Sequence, residues 1–294
     1  MYRLLRCAFC SLVWTENPPP PSAMEEHYGV QYDKSVTLAG EDERRWSSRC
    51  RVVQGLKANG AILDLGCSGG GFLTSLKGPS WRRYGIEMSE RAADLARARC
   101  GAEIFVGDIL GASFPPDSFD VITCFHVLEH LHQPRKVLER VSEWLKPGGI
   151  FYIMVPNIDS AAAKIFRSYW YALELPRHVC HFSPISLTRL ATAVGLEPVS
   201  VTTHREPFLE LSTRYIFEEL LRRAGFSISP LAQVKQPGIP WRVVRKGFRL
   251  TILPVLAGLT SLAGDGESIH AVFAKAATPP GQVIANKLVS RTEC

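Results

Sequence analysis

From residue 61 onward, short apolar runs alternate with stretches whose apolar positions recur at helical spacing. The strand-like runs fall at 61–65, 82–87, 103–106, 119–125 and 149–155, and the helical stretches between them at 70–77, 89–99 and 134–146. The last of these closes on Lys146-Pro147-Gly148-Gly149, a strong stop signal. Ser183-Pro184 opens a further helix that ends at Gly195; 196–203 then reads as a sixth strand and 269–275 as a seventh. Strand and helix in regular alternation predict an α/β fold, with an open, seven-stranded, mostly parallel sheet and helices on both faces.

About 65 residues separate the last two strands, far more than a turn needs. The pattern therefore divides the chain into an N-terminal leader (1–45), a core (46–203 with 269–276), a helical lid or substrate insertion (204–268) and a loose tail (277–294). Composition adds that a real core is affordable: 46% of residues are hydrophobic and 21% charged. The net charge of +6 is concentrated, because residues 205–249 hold nine Arg or Lys against four acids. Within it, Arg242, Arg245, Lys246 and Arg249 have aromatic flanks and precede an apolar run at 250–264, which Pro254 breaks and which is too short to span a bilayer. At about 1 kcal/mol per basic residue, 241–264 would support only weak peripheral association with the inner face of a membrane. A lid helix with a solvated basic face explains the same residues. The eight cysteines are mostly scattered, as expected in a reducing cytoplasm, and residues 1–14 lack the apolar stretch of a signal peptide. Only Cys7 and Cys10 are closely spaced; they make half a tetrahedral zinc site, and no second pair follows.

The most informative stretch is Ala61-Ile-Leu-Asp64-Leu-Gly66-Cys67-Ser68-Gly69-Gly70-Gly71. An apolar strand runs into a carboxylate and then a glycine turn, the place where open α/β sheets bind nucleotide-like ligands. A dinucleotide turn needs glycine where this chain has Ser68, and Asp64 would repel a pyrophosphate. A cationic ligand without phosphate suits the acid, and S-adenosylmethionine is one. Two further carboxylates stand at the ends of the next strands. Glu87, in Gly85-Ile-Glu87-Met88, can accept from ribose hydroxyls, and Asp108, in Gly107-Asp108-Ile109, from an adenine amine. His126-Val-Leu-Glu129-His130 follows the fourth strand, and Arg177-His178-Val-Cys-His181 follows the fifth.

Together with Phe119-Asp-Val121, Leu145-Lys-Pro-Gly-Gly149 and Val155-Pro-Asn157, these motifs resemble the class I S-adenosylmethionine-dependent methyltransferases. Within that class they are similar to the broad group related to ubiquinone-biosynthesis O-methyltransferases. The resemblance implies a Rossmann-like sheet and S-adenosyl-L-methionine held by Asp64, Gly66, Cys67, Gly70, Glu87, Met88, Asp108 and Ile109. It also implies His126, His178 and His181 facing the acceptor, and methyl transfer, with oxygen the leading acceptor atom. The acceptor would be a small-molecule, glycan or lipid-linked precursor. Some such relatives carry Glu-x-x-Glu-His after the fourth strand and hold a divalent cation with it. Here His126 replaces the first carboxylate, Glu129 reads as a capping residue, and no metal ligand is assigned. Serine at position 68 keeps the turn if its dihedrals are ordinary. The leader, with Cys7, Cys10, His27-Tyr28 and Gln31-Tyr-Asp33, resembles the second half of a zinc ribbon. Two other readings compete: a nucleic-acid methyltransferase, suggested by the basic insertion, and a catalytically idle cofactor-binding protein. Against the former, the fourth strand ends in Cys-Phe-His and not in the Asn/Asp-Pro-Pro-aromatic motif of resembling nucleobase enzymes.

Overall fold

Seven strands form one sheet in the order β5-β4-β3-β6-β7-β10-β9. They are β3 (Gly60–Leu65), β4 (Trp81–Glu87), β5 (Glu103–Val106), β6 (Phe119–Phe125), β7 (Leu145–Pro156), β9 (Leu196–His204) and β10 (Ser268–Lys275). The computed structural model describes residues 2–24, 43–78, 80–223 and 266–277. The basic residues 235–249, the apolar run 250–264 and nearly all of the tail lie outside them. The pairings β3–β4, β3–β6, β4–β5 and β6–β7 are parallel. β10 runs antiparallel to both β7 and β9, so the sheet is mostly parallel, as the strand–helix alternation implied.

Sequence chemistry explains the layering. β3 is buried along nearly its whole length, as expected of a central parallel strand covered on both faces. Helix α1 (Glu43–Leu56), α2 (Gly71–Ser75) and α3 (Glu90–Cys100) precede or follow the first strands, and α4 (Pro134–Trp144) joins β6 to β7. α4 opens on Pro134, whose fixed φ suits a first turn, and turns Val137, Leu138, Val141 and Trp144 inward. Phe114 stands edge-on to both Trp144 and Phe119 at 5.3 and 5.1 Å, locking α4 against the sheet. One boundary differs from the pattern. The helix ends at Trp144 and not at Lys146, because Leu145 already pairs with Phe119 and starts β7.

The described part of the leader packs onto the core. β1 (Leu4–Arg6) and β2 (Val13–Thr15) form a hairpin, and β2 pairs with β8 (Cys180–His181). Leu12 joins the same buried cluster as Phe151 and Phe182. Cys7 and Cys10 sit in the hairpin turn, with the Cys10 N–H directed at Cys7 Sγ at 3.5 Å. Helix α5 (Ala161–Phe166) and α6 (Pro184–Thr192) flank β8, and α7 (Phe208–Arg223) begins the insertion. α7 is fastened to the core by Glu267, whose carboxylate accepts the Glu206 N–H. Among the described residues no helix is long and apolar enough to cross a membrane.

Candidate active site

The strand order reverses between β3 and β6, the position at which an open α/β sheet forms a ligand crevice. Three turns meet on the β3 side of it. The N–H groups of Gly66 and Cys67 both donate to the Ile86 carbonyl, at 2.9 and 3.1 Å, and Gly107 N–H donates to the Glu87 carbonyl at 2.9 Å. The glycine turn and the ends of β4 and β5 are thus one stitched unit. Asp64, Glu87 and Asp108 end up on adjacent strand ends, as their spacing suggested.

Each carboxylate has its own environment. Asp64 is 4% exposed and accepts from Thr123 Oγ1 at 2.7 Å. Burial pushes its carboxyl up to about 7, opposed by the Thr123 hydroxyl and by the Arg49 guanidinium. Arg49 lies between the rings of Trp46 and Phe125, at 4.6 and 4.9 Å from their centroids. Nothing in the local sequence pattern marked this cation; only the docking of α1 brings it to Asp64. Glu87 is buried and accepts from the backbone of Ser68 (2.9 Å) and Ser89 (2.9 Å). Its carboxylate still has lone pairs for a further partner. Asp108 is exposed and caps the short turn beginning at Ile109 by accepting the Leu110 N–H. Met88 is 73% exposed beside Glu87, whereas Ile109 is buried.

The glycine turn is shaped by contacts that a side chain would destroy. A Cβ on Gly66, which has φ +68°, would lie 2.5 Å from Val127 Cγ2; on Gly70, at φ +75°, it would strike Ala96 at 2.9 Å. A Cβ on Gly85 would strike Cys67 Sγ at 2.6 Å, so the buried Cys67 thiol fills the space that Gly85 leaves. Ser68 departs from the expectation of ordinary dihedrals, for its φ is +49°. A left-handed serine is strained by about 1–2 kcal/mol. Ser68→Gly is therefore expected to raise unfolding free energy by about 0.5–1 kcal/mol after the entropic cost of glycine, with cofactor affinity retained. Denaturant melts of the two proteins measure this directly.

Across the crevice, His126 also has a left-handed backbone, φ +58°, with its N–H donating to the Met154 carbonyl at 2.9 Å. Such strain at a strand end needs support from around it. Its Nδ1 stands 3.4 Å from Glu129 Oε1. His178 and His181 are both buried. Burial, with His130 nearby, holds His178 well below the usual histidine range, and burial lowers His181 to about 4. His178 Nδ1 bonds the Ala172 carbonyl at 2.8 Å, and His181 Nε2 stands 3.5 Å from Thr15 Oγ1 on β2. The structure thus gathers His126, Glu129, His130 and His178 into one cluster, with His181 behind it against the leader.

These residues fit S-adenosylmethionine. Gly66 and Gly70 hold the left-handed turn in close packing with Val127 and Ala96, the buried Asp64 carboxylate suits an ammonium, and Glu87 is locked in place at the adjoining strand end. The comparisons agree. The methyltransferase-domain family matches residues 39–201, more than half of the chain. The ubiquinone biosynthesis O-methyltransferase of Thiobacillus denitrificans is 29% identical over 54% of this chain and 72% of its own length. The enzyme of the same name from Paraburkholderia phymatum is 32% identical over 46% of this chain and 63% of its own. The chain thus spans roughly two thirds of the length of these curated relatives. Among solved structures, an S-adenosylmethionine-dependent methyltransferase from Archaeoglobus fulgidus shares the fold at a TM-score of 0.54. It is 17% identical, over 84% of this chain and 100% of that one. Phosphoethanolamine N-methyltransferase 2 of Haemonchus contortus, solved with S-adenosyl-L-methionine, scores 0.56 at 18% identity, over 90% of this chain and 63% of its own. With its glycine turn, its strand-end acids and its sheet order, this chain belongs to the methyltransferase-domain family and is a class I S-adenosylmethionine-dependent methyltransferase.

Proposed function

We propose that this enzyme methylates an oxygen atom of a small-molecule, glycan or lipid-linked biosynthetic precursor. The likeness to ubiquinone biosynthesis O-methyltransferases carries this reading. When bound, the cofactor supplies an electrophilic methyl group on a sulfonium. Asp64 would hold its ammonium; the turn of Gly66, Cys67 and Gly70 would receive it; Glu87 would accept from its ribose hydroxyls. Asp108 would accept from its adenine amine, with Met88 and Ile109 helping to hold the cofactor at the same strand ends. His126, at the strained end of β6, faces the acceptor and takes its proton. His178, too buried to be reached from open solvent, acts on the acceptor side through the histidine cluster, and His181 supports that cluster from behind, against Thr15 of the leader. In-line positioning can contribute about 7–11 kcal/mol of barrier reduction, against about 3–5 kcal/mol for a general base. Orientation by the crevice is the larger effect.

The scattered cysteines support a cytoplasmic setting, and the basic stretch 241–264 supports weak contact with a membrane face. The test is transfer of an isotope-labelled methyl group to a panel comprising a catechol, a thiol, a primary amine and transfer RNA. Label recovered as an O-methyl ether of the catechol is the expected result. Label confined to the thiol, the amine or the RNA would overturn the oxygen assignment.

A further inference from the structure

We propose that Thr15, in the N-terminal leader, is a positioning residue for His178 and His181, which on the reading above serve the acceptor. Its one hydroxyl fixes the backbone of His178 and the tautomer of His181. Thr15 closes β2 and is fully buried. Its N–H donates to the Val179 carbonyl at 2.8 Å, and its Oγ1 donates to the His178 carbonyl at 3.0 Å. The first bond continues the pairing of β2 with β8; the second belongs to the side chain alone. A buried strand end asks only for a β-branched residue, which valine would supply as well. The hydroxyl therefore has a task beyond the strand.

That hydroxyl carries one hydrogen, and a carbonyl can only accept, so the hydrogen is committed to His178. What Oγ1 then presents to His181 Nε2, 3.5 Å away, is a lone pair. The separation is long for a hydrogen bond, yet its sign is fixed: a lone pair on Nε2 would be repelled there and an N–H attracted. Burial lowers His181 to about 4, so the ring is neutral at neutral pH and has one proton to place. Nε2 takes it, which leaves the lone pair on Nδ1. Valine at position 15 would remove this bias.

The place of these bonds gives them their consequence. The histidine segment meets the end of β6 here, for Val179 N–H donates to the Glu129 carbonyl at 2.8 Å. The His178 ring stands edge-on to His130, 4.6 Å between centroids, and its Nδ1 bonds the Ala172 carbonyl at 2.8 Å. The leader makes a second tie to the same turn, with His132 Nε2 2.8 Å from the Pro19 carbonyl. β2 thus holds residues 178–181 against the turn that carries His126, and Thr15 reaches both buried histidines at once. In-line transfer is sensitive to such placement, a shift of about 1 Å costing up to about 100-fold.

The test uses the full chain with nitrogen-15-labelled histidine and reads each ring's tautomer from two-bond proton–nitrogen correlations at pH 8. His181→Gln assigns the His181 signals. Expected are the Nε2–H tautomer of His181 in the wild type and in Thr15→Ser, and a mixture of tautomers or the Nδ1–H form in Thr15→Val. With catechol as acceptor, Thr15→Val should lower kcat by about 10-fold while cofactor affinity, measured by calorimetry, stays unchanged; Thr15→Ser should restore kcat. Should Thr15→Val misfold by circular dichroism, Thr15→Ala serves. An Nδ1–H ring in the wild type, or the wild-type tautomer in a folded Thr15→Val protein, overturns the proposal, as does an unchanged kcat in that variant. A wild type that binds cofactor but methylates no catechol counts against the oxygen assignment alone, and the tautomer then decides the role of Thr15.

Discussion

Asp64→Asn is expected to abolish cofactor binding while leaving a protein that melts higher at pH 8 than the parent. The two effects share one cause. Asp64 is buried against Thr123 and its carboxyl sits near 7, well above the ordinary value of 3.8. Between those values the folded state holds a proton that the unfolded state releases. Stability from this group is therefore full below about pH 4 and falls as pH rises toward 7. Above pH 7 the folded protein carries a poorly solvated carboxylate, a cost that the cofactor's ammonium relieves on binding. Asparagine keeps the acceptor for the Thr123 hydroxyl and removes the charge. The stabilisation should reach a few degrees in Tm at pH 8 and vanish near pH 4. Loss of the ammonium's partner should weaken binding by more than 100-fold, in line with the roughly 3–5 kcal/mol of a broken buried pair. An equal Tm for both proteins at pH 8, or retained affinity in the variant, would contradict this role for Asp64.

Glu87→Ala is expected to fail differently, losing affinity and stability together. Glu87 already accepts the N–H groups of Ser68 and Ser89, so it builds the turn before any ligand arrives. Removing it takes the acceptor from both donors in a half-buried place, at about 1 kcal/mol each. Two charge-assisted bonds to ribose hydroxyls would be lost as well, each worth roughly 1.5–3 kcal/mol. Cofactor affinity should drop by about 100-fold or more, and Tm should fall at every pH. Glu87→Gln should recover part of the Tm, since one amide oxygen replaces one acceptor, and little of the affinity. Thermal melts paired with cofactor titration separate these outcomes from those at Asp64.

The sheet was legible because buried parallel strands are continuous apolar runs, bounded here by Gly66, Gly107 and Gly148-Gly149. Strands β4, β6 and β10 fall within a residue of their expected ends. The hairpin of β1 and β2 and its partner β8 were invisible, since strands of two or three residues carry no periodicity. The same blind spot concealed why His178 and His181 lie where they do: β8 is held by the leader, a pairing across most of the chain. Three of the strand-end features could be read directly, because motif and strand end coincide at Asp64, Glu87 and Asp108. Arg49 and the meeting of His178 with Glu129 could not, because each depends on docking between segments distant in sequence. Glu129, read as a capping residue, is instead buried with neither oxygen hydrogen-bonded among the described residues, and its nearest counter-group is His126 Nδ1 at 3.4 Å.

The most direct test of the cofactor site is calorimetric titration of S-adenosyl-L-methionine into the intact wild-type protein at pH 8, with Asp64→Asn and Glu87→Ala alongside. Saturable binding at one molecule per chain, lost in both variants, is the expected result. Binding of equal strength in all three proteins, or none in the wild type, would contradict it.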